Sequence, residues 1–219
     1  MRCARLSAVV VLALVAASPA RASNTAFALP LTFGGAVQVL SFLSVPYVYA
    51  PATAEALCAD LGGAAKVASV LAWDEASSTF LTHTCGSGSS NFALEEGVAY
   101  GARTVAGQTV DALIVGVHDD AFAFSLAPTS GSNLAWVSIP YHQSIPDLLG
   151  APGVVDAEDL CQSVGPSLWA VLRRDTASAS YAAYICGSVF DTPFPIGLGE
   201  GYGLVNRSGH EITWQPPHF

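Results

Sequence analysis

The chain contains a second copy of itself, and this constrains its fold more than any other feature. Ala54-Glu55-Ala56-Leu57-Cys58-Ala59-Asp60-Leu61-Gly62 lies over Ala157-Glu158-Asp159-Leu160-Cys161-Gln162-Ser163-Val164-Gly165 with matching residue types at most positions. Upstream, Phe42-Leu43-Ser44-Val45-Pro46-Tyr47 corresponds to Trp136-Val137-Ser138-Ile139-Pro140-Tyr141. Downstream, Asp74, Phe80, Cys85 and Gly86-Ser87 fall on Asp175, Tyr181, Cys186 and Gly187-Ser188. Phe92-Ala93-Leu94, Gly97 and Tyr100-Gly101 then fall on Phe194-Pro195-Ile196, Gly199 and Tyr202-Gly203. Each copy closes on a glycine turn, Gly107 or Gly209, and a histidine, His118 or His218. The second copy carries an insertion of about nine residues in the Pro/Gly-punctuated stretch 145–153. Ordered matches along half a chain mean tandem duplication, with units at residues 23–118 and 119–219.

Periodicity gives each unit its elements. Residues 37–45 and 134–139 are rich in β-branched and aromatic side chains and stop at a proline, as a strand entering a turn does. Residues 53–61 and 155–164 read as short helices: Ala54, Leu57, Cys58 and Leu61 share one face, and Gly62 follows as a C-cap. Residues 67–73, 79–84, 98–105 and 109–115 read as strands, repeated in the second copy. The expected fold is mainly β (α+β). It has two tandem antiparallel units, sandwich or small barrel, each with one short helix.

The N-terminus carries Arg2 and Arg5, an apolar run over residues 9–17, and small residues at Ala20 and Ala22. This is the pattern of a secretory signal cleaved after Ala22, with an apolar run about half as long as a bilayer span requires. Cys3 precedes that run and no arginine pair does, which fits neither a lipoprotein nor the twin-arginine route. Removing residues 1–22 deletes Arg2, Arg5 and Arg21 and no acid, carrying the formal net charge from −9 to −12. The remaining cations, Lys66, Arg103, Arg173, Arg174 and Arg207, form no patch beyond one dipeptide, so the chain is expected to repel phosphate backbones and anionic headgroups, and no nucleic-acid partner is expected. No later apolar stretch is long enough to span a membrane. The expected location is extracellular or periplasmic.

Cys3 leaves with the signal, so four of the five cysteines remain, and four thiols permit three pairings. A unit that once folded alone had only its own two cysteines to join, which selects Cys58 with Cys85 and Cys161 with Cys186. Each bridge ties the helix to a strand end and closes a loop of roughly 25 residues, worth about 3.5 kcal/mol by chain entropy. A metal or redox site would want C-x-x-C spacing, and the nearby His83 is replaced by Tyr184 in the second copy.

The repeat also filters candidate chemistry. Gly86-Ser87-Gly88-Ser89-Ser90 does not fit a nucleophile elbow, and no H-E-x-x-H, P-loop or dinucleotide fingerprint occurs. Gly199-Glu200-Gly201-Tyr202-Gly203 aligns with Gly97-Val98-Ala99-Tyr100-Gly101 and reads as a turn entering a strand. Asp74 and Asp175 read as turn-initiating, while Glu55 and Glu158 sit in a first helical turn, favoured by the helix dipole. His118-Asp119-Asp120, with Asp111, is the cluster closest to a metal site, but its counterpart Pro217-His218-Phe219 has no acid. No cofactor or metal is expected. Trp73, Trp136, Trp169 and Trp214, with Tyr47, Tyr141, Tyr100 and Tyr202, would stack on sugars if exposed, although burial is the commoner fate. Asn206-Arg207-Ser208 fits a glycosylation acceptor.

The order Ser-Val/Ile-Pro-Tyr, Ala-Glu-x-Leu-Cys, Cys-Gly, Phe-x-Leu/Ile and Gly-x-x-Tyr resembles an uncharacterised tandem-repeat family of small exported bacterial modules. The likeness covers nearly all of the mature chain, with one departure: Arg174 stands where the first copy has Trp73. It implies a secreted β-rich module and brings no activity, cofactor or catalytic residue with it. The expected function is non-enzymatic, the binding of an extracellular protein or glycan or a structural role at the cell surface. The alternative is a hydrolase or glycan-binding site at the junction of the two units, using His83, His142 or the Arg173-Arg174 pair.

Overall fold

The computed structural model describes residues 27–50, 52–117, 119, 121–126, 133–139 and 156–216. The expected signal cleavage, the insertion and residues His118, Asp120, Tyr141, His142 and His218 lie outside them. The first unit runs β1 (Phe27–Gly34), β2 (Leu40–Leu43), α1 (Ala54–Asp60), β3 (Val67–Asp74), β4 (Thr79–Thr84), β5 (Tyr100–Thr104) and β6 (Thr109–Gly116). The second runs β7 (Phe124–Leu126), β8 (Leu134–Ser138), α2 (Ala157–Val164), β9 (Leu168–Asp175), β10 (Ser180–Ile185), β11 (Gly201–Asn206) and β12 (Ile212–Trp214).

The topology repeats as the sequence does. Each unit has a four-stranded antiparallel sheet, ordered β2-β5-β3-β4 in the first and β8-β11-β9-β10 in the second, and a two-stranded ribbon, β1-β6 or β7-β12. Even the irregularity recurs. The register slips between Val67 and Ser69 against β5, and at the matching place between Val205 and Asn206 against β9. The fold is therefore mainly β with one short helix per unit, as expected.

Local chemistry explains the boundaries. Thr53 caps α1 by accepting from Ala56 N–H at 3.2 Å, and Asp156 caps α2 by accepting from Glu158 and Asp159 N–H at 2.9 and 3.0 Å. The α1 C-cap is Leu61, one residue earlier than the Gly62 that the sequence suggested, and Gly62 follows it with φ of 103°. Asp74 and Asp175 initiate the β3–β4 and β9–β10 turns by binding the N–H groups of Ala76 and Ala177. β2 and β5 are shorter than read from sequence because their outer ends leave the ladder, whereas β4 matches residue for residue.

β1 and β7 are the strands that the sequence did not reveal. Pro30 interrupts β1, but the ribbon has a free edge that tolerates a residue without N–H, and Leu29 and Leu31 point into the core. One core lies between sheet, helix and ribbon in each unit. Leu57, Val70, Tyr100, Val110 and Ile114 share the first, and Leu160, Val171, Tyr202, Ile212 and Trp214 the second.

Candidate functional site

The cysteines pair within each unit. Cys58–Cys85 and Cys161–Cys186 have Cα separations of 5.7 and 5.6 Å and close spans of 27 and 25 residues. In the first unit a polar tie runs beside the bridge. Glu55 does more than face the helix dipole: its carboxylate reaches His83 Nε2 at 2.6 Å and accepts from Gly86 N–H at 3.0 Å. His83 is fully buried, and its other nitrogen meets the Ser89 carbonyl at 2.9 Å, so both ring nitrogens face acceptors. These bonds hold the Glu55 carboxyl below its ordinary range, the His83 bond contributing most. Donor atoms of Glu55, Cys58 and His83 come within 4.8 Å of one another, but the Cys58 sulfur is already bonded to Cys85 and offers no thiolate. The second unit has Tyr184 at the His83 position, also buried.

The units are not independent bodies; they interlock about a local twofold axis through Ser44-Val45 and Ser138-Ile139. Val45 N–H donates to Ser138 Oγ and Ile139 N–H donates to Ser44 Oγ, each at 2.9 Å, and both serines are fully buried. Ser44 N–H reaches Gly199 O at 2.8 Å, and Ser138 N–H reaches Gly97 O at 2.7 Å. Phe42 and Trp136, aligned in the sequence, stack on each other with centroids 3.7 Å apart. Tyr47 leaves its own unit and joins the core of the second, 4.5 Å from Phe122.

The glycine turns belong to the same junction. Gly97 and Gly199 have φ of 77° and 79°, and a Cβ on them would stand 2.2 Å from the Phe122 ring and 2.5 Å from a Leu31 methyl. Each turn thus presses against the ribbon of the other unit, which requires glycine for space as well as for backbone conformation. Behind each turn a buried tyrosine closes it: Tyr100 hydroxyl accepts from Glu95 N–H and Tyr202 hydroxyl from Gly197 N–H, both at 2.5 Å. Burial pushes both phenols above their ordinary value.

Interlocking leaves two equivalent grooves, one on each side of the axis, and they have diverged. The larger, about 740 Å³, is lined by Trp73, Phe92, Phe122 and Trp136 with Glu75, Glu95 and Glu96. The Trp136 indole N–H, on a residue 4 % exposed, has no hydrogen-bond partner among the described residues. Burial raises the carboxyls of Glu75 and Glu96, and the nearby Glu95 charge raises Glu75 further. In the smaller groove, about 350 Å³, Arg173, Arg174 and Thr176 occupy the places of Ala72, Trp73 and Glu75.

Of the sequence candidates, Arg173 and Arg174 reach the junction, whereas His83 does not. Trp214 is core, and Trp169 lies under the Arg207 guanidinium at 3.4 Å. Asn206 is buried, with its amide donating to Leu126 O at 2.7 Å and His210 O at 2.8 Å, so folding closes it to glycosylation. Asp119 accepts from Ala121 N–H at 2.9 Å in a local turn. Sequence reasoning missed Glu75, Glu95, Glu96 and Phe122, whose only signal was a departure from the other copy. No protein-family model, curated protein or solved structure matches the chain.

Proposed function

We propose that the chain is an exported, non-enzymatic binding module that takes a glycan in the larger groove at the junction of its units. The observation that carries this reading is the groove lined by aromatic rings and carboxylates, with an unpartnered Trp136 N–H buried in its wall. Aromatic faces suit the C–H faces of sugar rings, carboxylates accept from hydroxyl groups, and an indole N–H in such a lining wants a ligand oxygen. Two disulfides support an oxidising compartment. Among the described residues no helix is long and apolar enough to cross a membrane.

The test is a glycan array with the mature chain, followed by calorimetry on any ligand found. Trp73→Arg and Glu75→Thr install the residues of the other groove, which the fold already accommodates. Each is expected to weaken binding by about fivefold to about a hundredfold, given contacts of about 1–3 kcal/mol. An array without a ligand, or variants that bind as well as the parent, overturns the reading.

One observation favours a second reading. Glu75, raised by burial and by the Glu95 charge, has the asymmetry of a glycosidase acid beside a carboxylate. Reducing-sugar release that Glu75→Gln abolishes while binding persists selects the hydrolase.

A further inference from the structure

We propose that the smaller groove is a separate site for an oxyanion, the carboxylate of an acidic sugar or a phosphate or sulfate group. Arg173 and Arg174 both line it, and no ion pair to either is present among the described residues, in a chain with 17 acids. Each guanidinium carbon lies over a ring, Arg173 over Phe194 at 5.0 Å and Arg174 over Tyr181 at 4.8 Å, and Arg173 Nη1 also donates to Pro195 O at 3.4 Å. A guanidinium gripped by its face presents N–H donors at its edge, in a plane that matches an oxyanion.

Two further donors lack partners in the same lining. Arg174 Nε is buried with no acceptor, and so is the hydroxyl of Ser41, a residue 6 % exposed. Two cations without acidic partners and a buried, unpartnered hydroxyl in the lining of one cavity leave hydrogen-bonding capacity that an anion satisfies. The pseudo-equivalent groove gives the internal contrast: there Ala72, Trp73 and Ala135 replace Arg173, Arg174 and Ser41, so all three donors are particular to this side. Glu200 also lines the cavity but accepts from the Tyr202 hydroxyl at 2.7 Å.

The contrast supplies variants expected to fold, since the chain already holds those residues at the matching positions. Sodium sulfate, sodium phosphate and glucuronate are titrated separately into the mature chain in a chloride buffer, with binding read by calorimetry and by arginine side-chain NMR shifts. Saturable binding of at least one probe is expected, weakened at least about tenfold by Arg173→Ala and by Arg174→Trp and unchanged by the distant Arg207→Gln. Preference for glucuronate assigns a carboxylate ligand, and preference for sulfate or phosphate a tetrahedral one. Circular dichroism confirms that each variant is folded. No saturation by any probe, or equal binding by the parent and both groove variants, overturns the proposal.

Discussion

Ser44 and Ser138 show how much one side chain can carry when it sits on an axis. Each hydroxyl accepts a backbone N–H from the other unit and donates onward, Ser138 to Val45 O and Ser44 to Glu200 O, both at 2.6 Å. Ser138→Ala leaves the buried Val45 N–H without an acceptor and is expected to cost about 1–3 kcal/mol, read as a lower urea midpoint with an unchanged slope. Ionisable side chains set the pH dependence, with two opposing signs. Glu55, Asp74 and Asp175 titrate below their ordinary values, so their stabilisation is complete above about pH 4.5 and lost as pH falls through the lowered values. Glu75 and Glu96 titrate above the ordinary value, so their contribution is full in acid and lost as pH rises through the raised values. Thermal melts are therefore expected to peak at mildly acidic pH, and Glu75→Gln to reduce the fall in stability toward neutrality.

At the scale of elements, the two helices are fixed unequally. α1 is held by its disulfide, by Glu55 on His83 and Gly86, and at its far end by the Tyr49 hydroxyl donating to Asp60 at 2.5 Å. α2 has its disulfide and the Trp214 indole donating to Ser163 at 3.1 Å. With both bridges reduced, hydrogen exchange is expected to speed up more in α2 than in α1, since α1 retains its polar ties. The helices, the hairpins and the cysteine pairs were legible in the sequence because each depends on local chemistry or on matching the two copies. β1 and β7 were not, since a ribbon strand needs only two or three inward residues, and in β1 Pro30 reads as a break. The grooves were hidden for a related reason: Trp73 and Phe122 meet only when the two copies interlock, and no spacing within one copy encodes that.

For the whole molecule, sequence reasoning made each unit self-sufficient, and the structure makes it half of a shared body. Tyr47 belongs to one unit by sequence and to the other by packing, and Phe42, Ala99 and Trp136 form a core that neither unit owns. Residues 23–118 expressed alone are expected to expose Phe42 and Leu43 and to be unfolded or self-associated, as read by analytical ultracentrifugation with circular dichroism. A folded monomer would show that the interlock is dispensable.

The stack of Phe42 on Trp136 depends on both halves belonging to one chain. In a homodimer, a residue on the axis faces its own duplicate, so every substitution is made twice and opposite sites stay identical. A phenyl ring against an indole ring is a mismatch that such an assembly cannot encode. Carrying both halves on one polypeptide removes that constraint, so one side of the axis holds a tryptophan among acids while the other holds a pair of arginines, and either pocket can be altered without touching its counterpart.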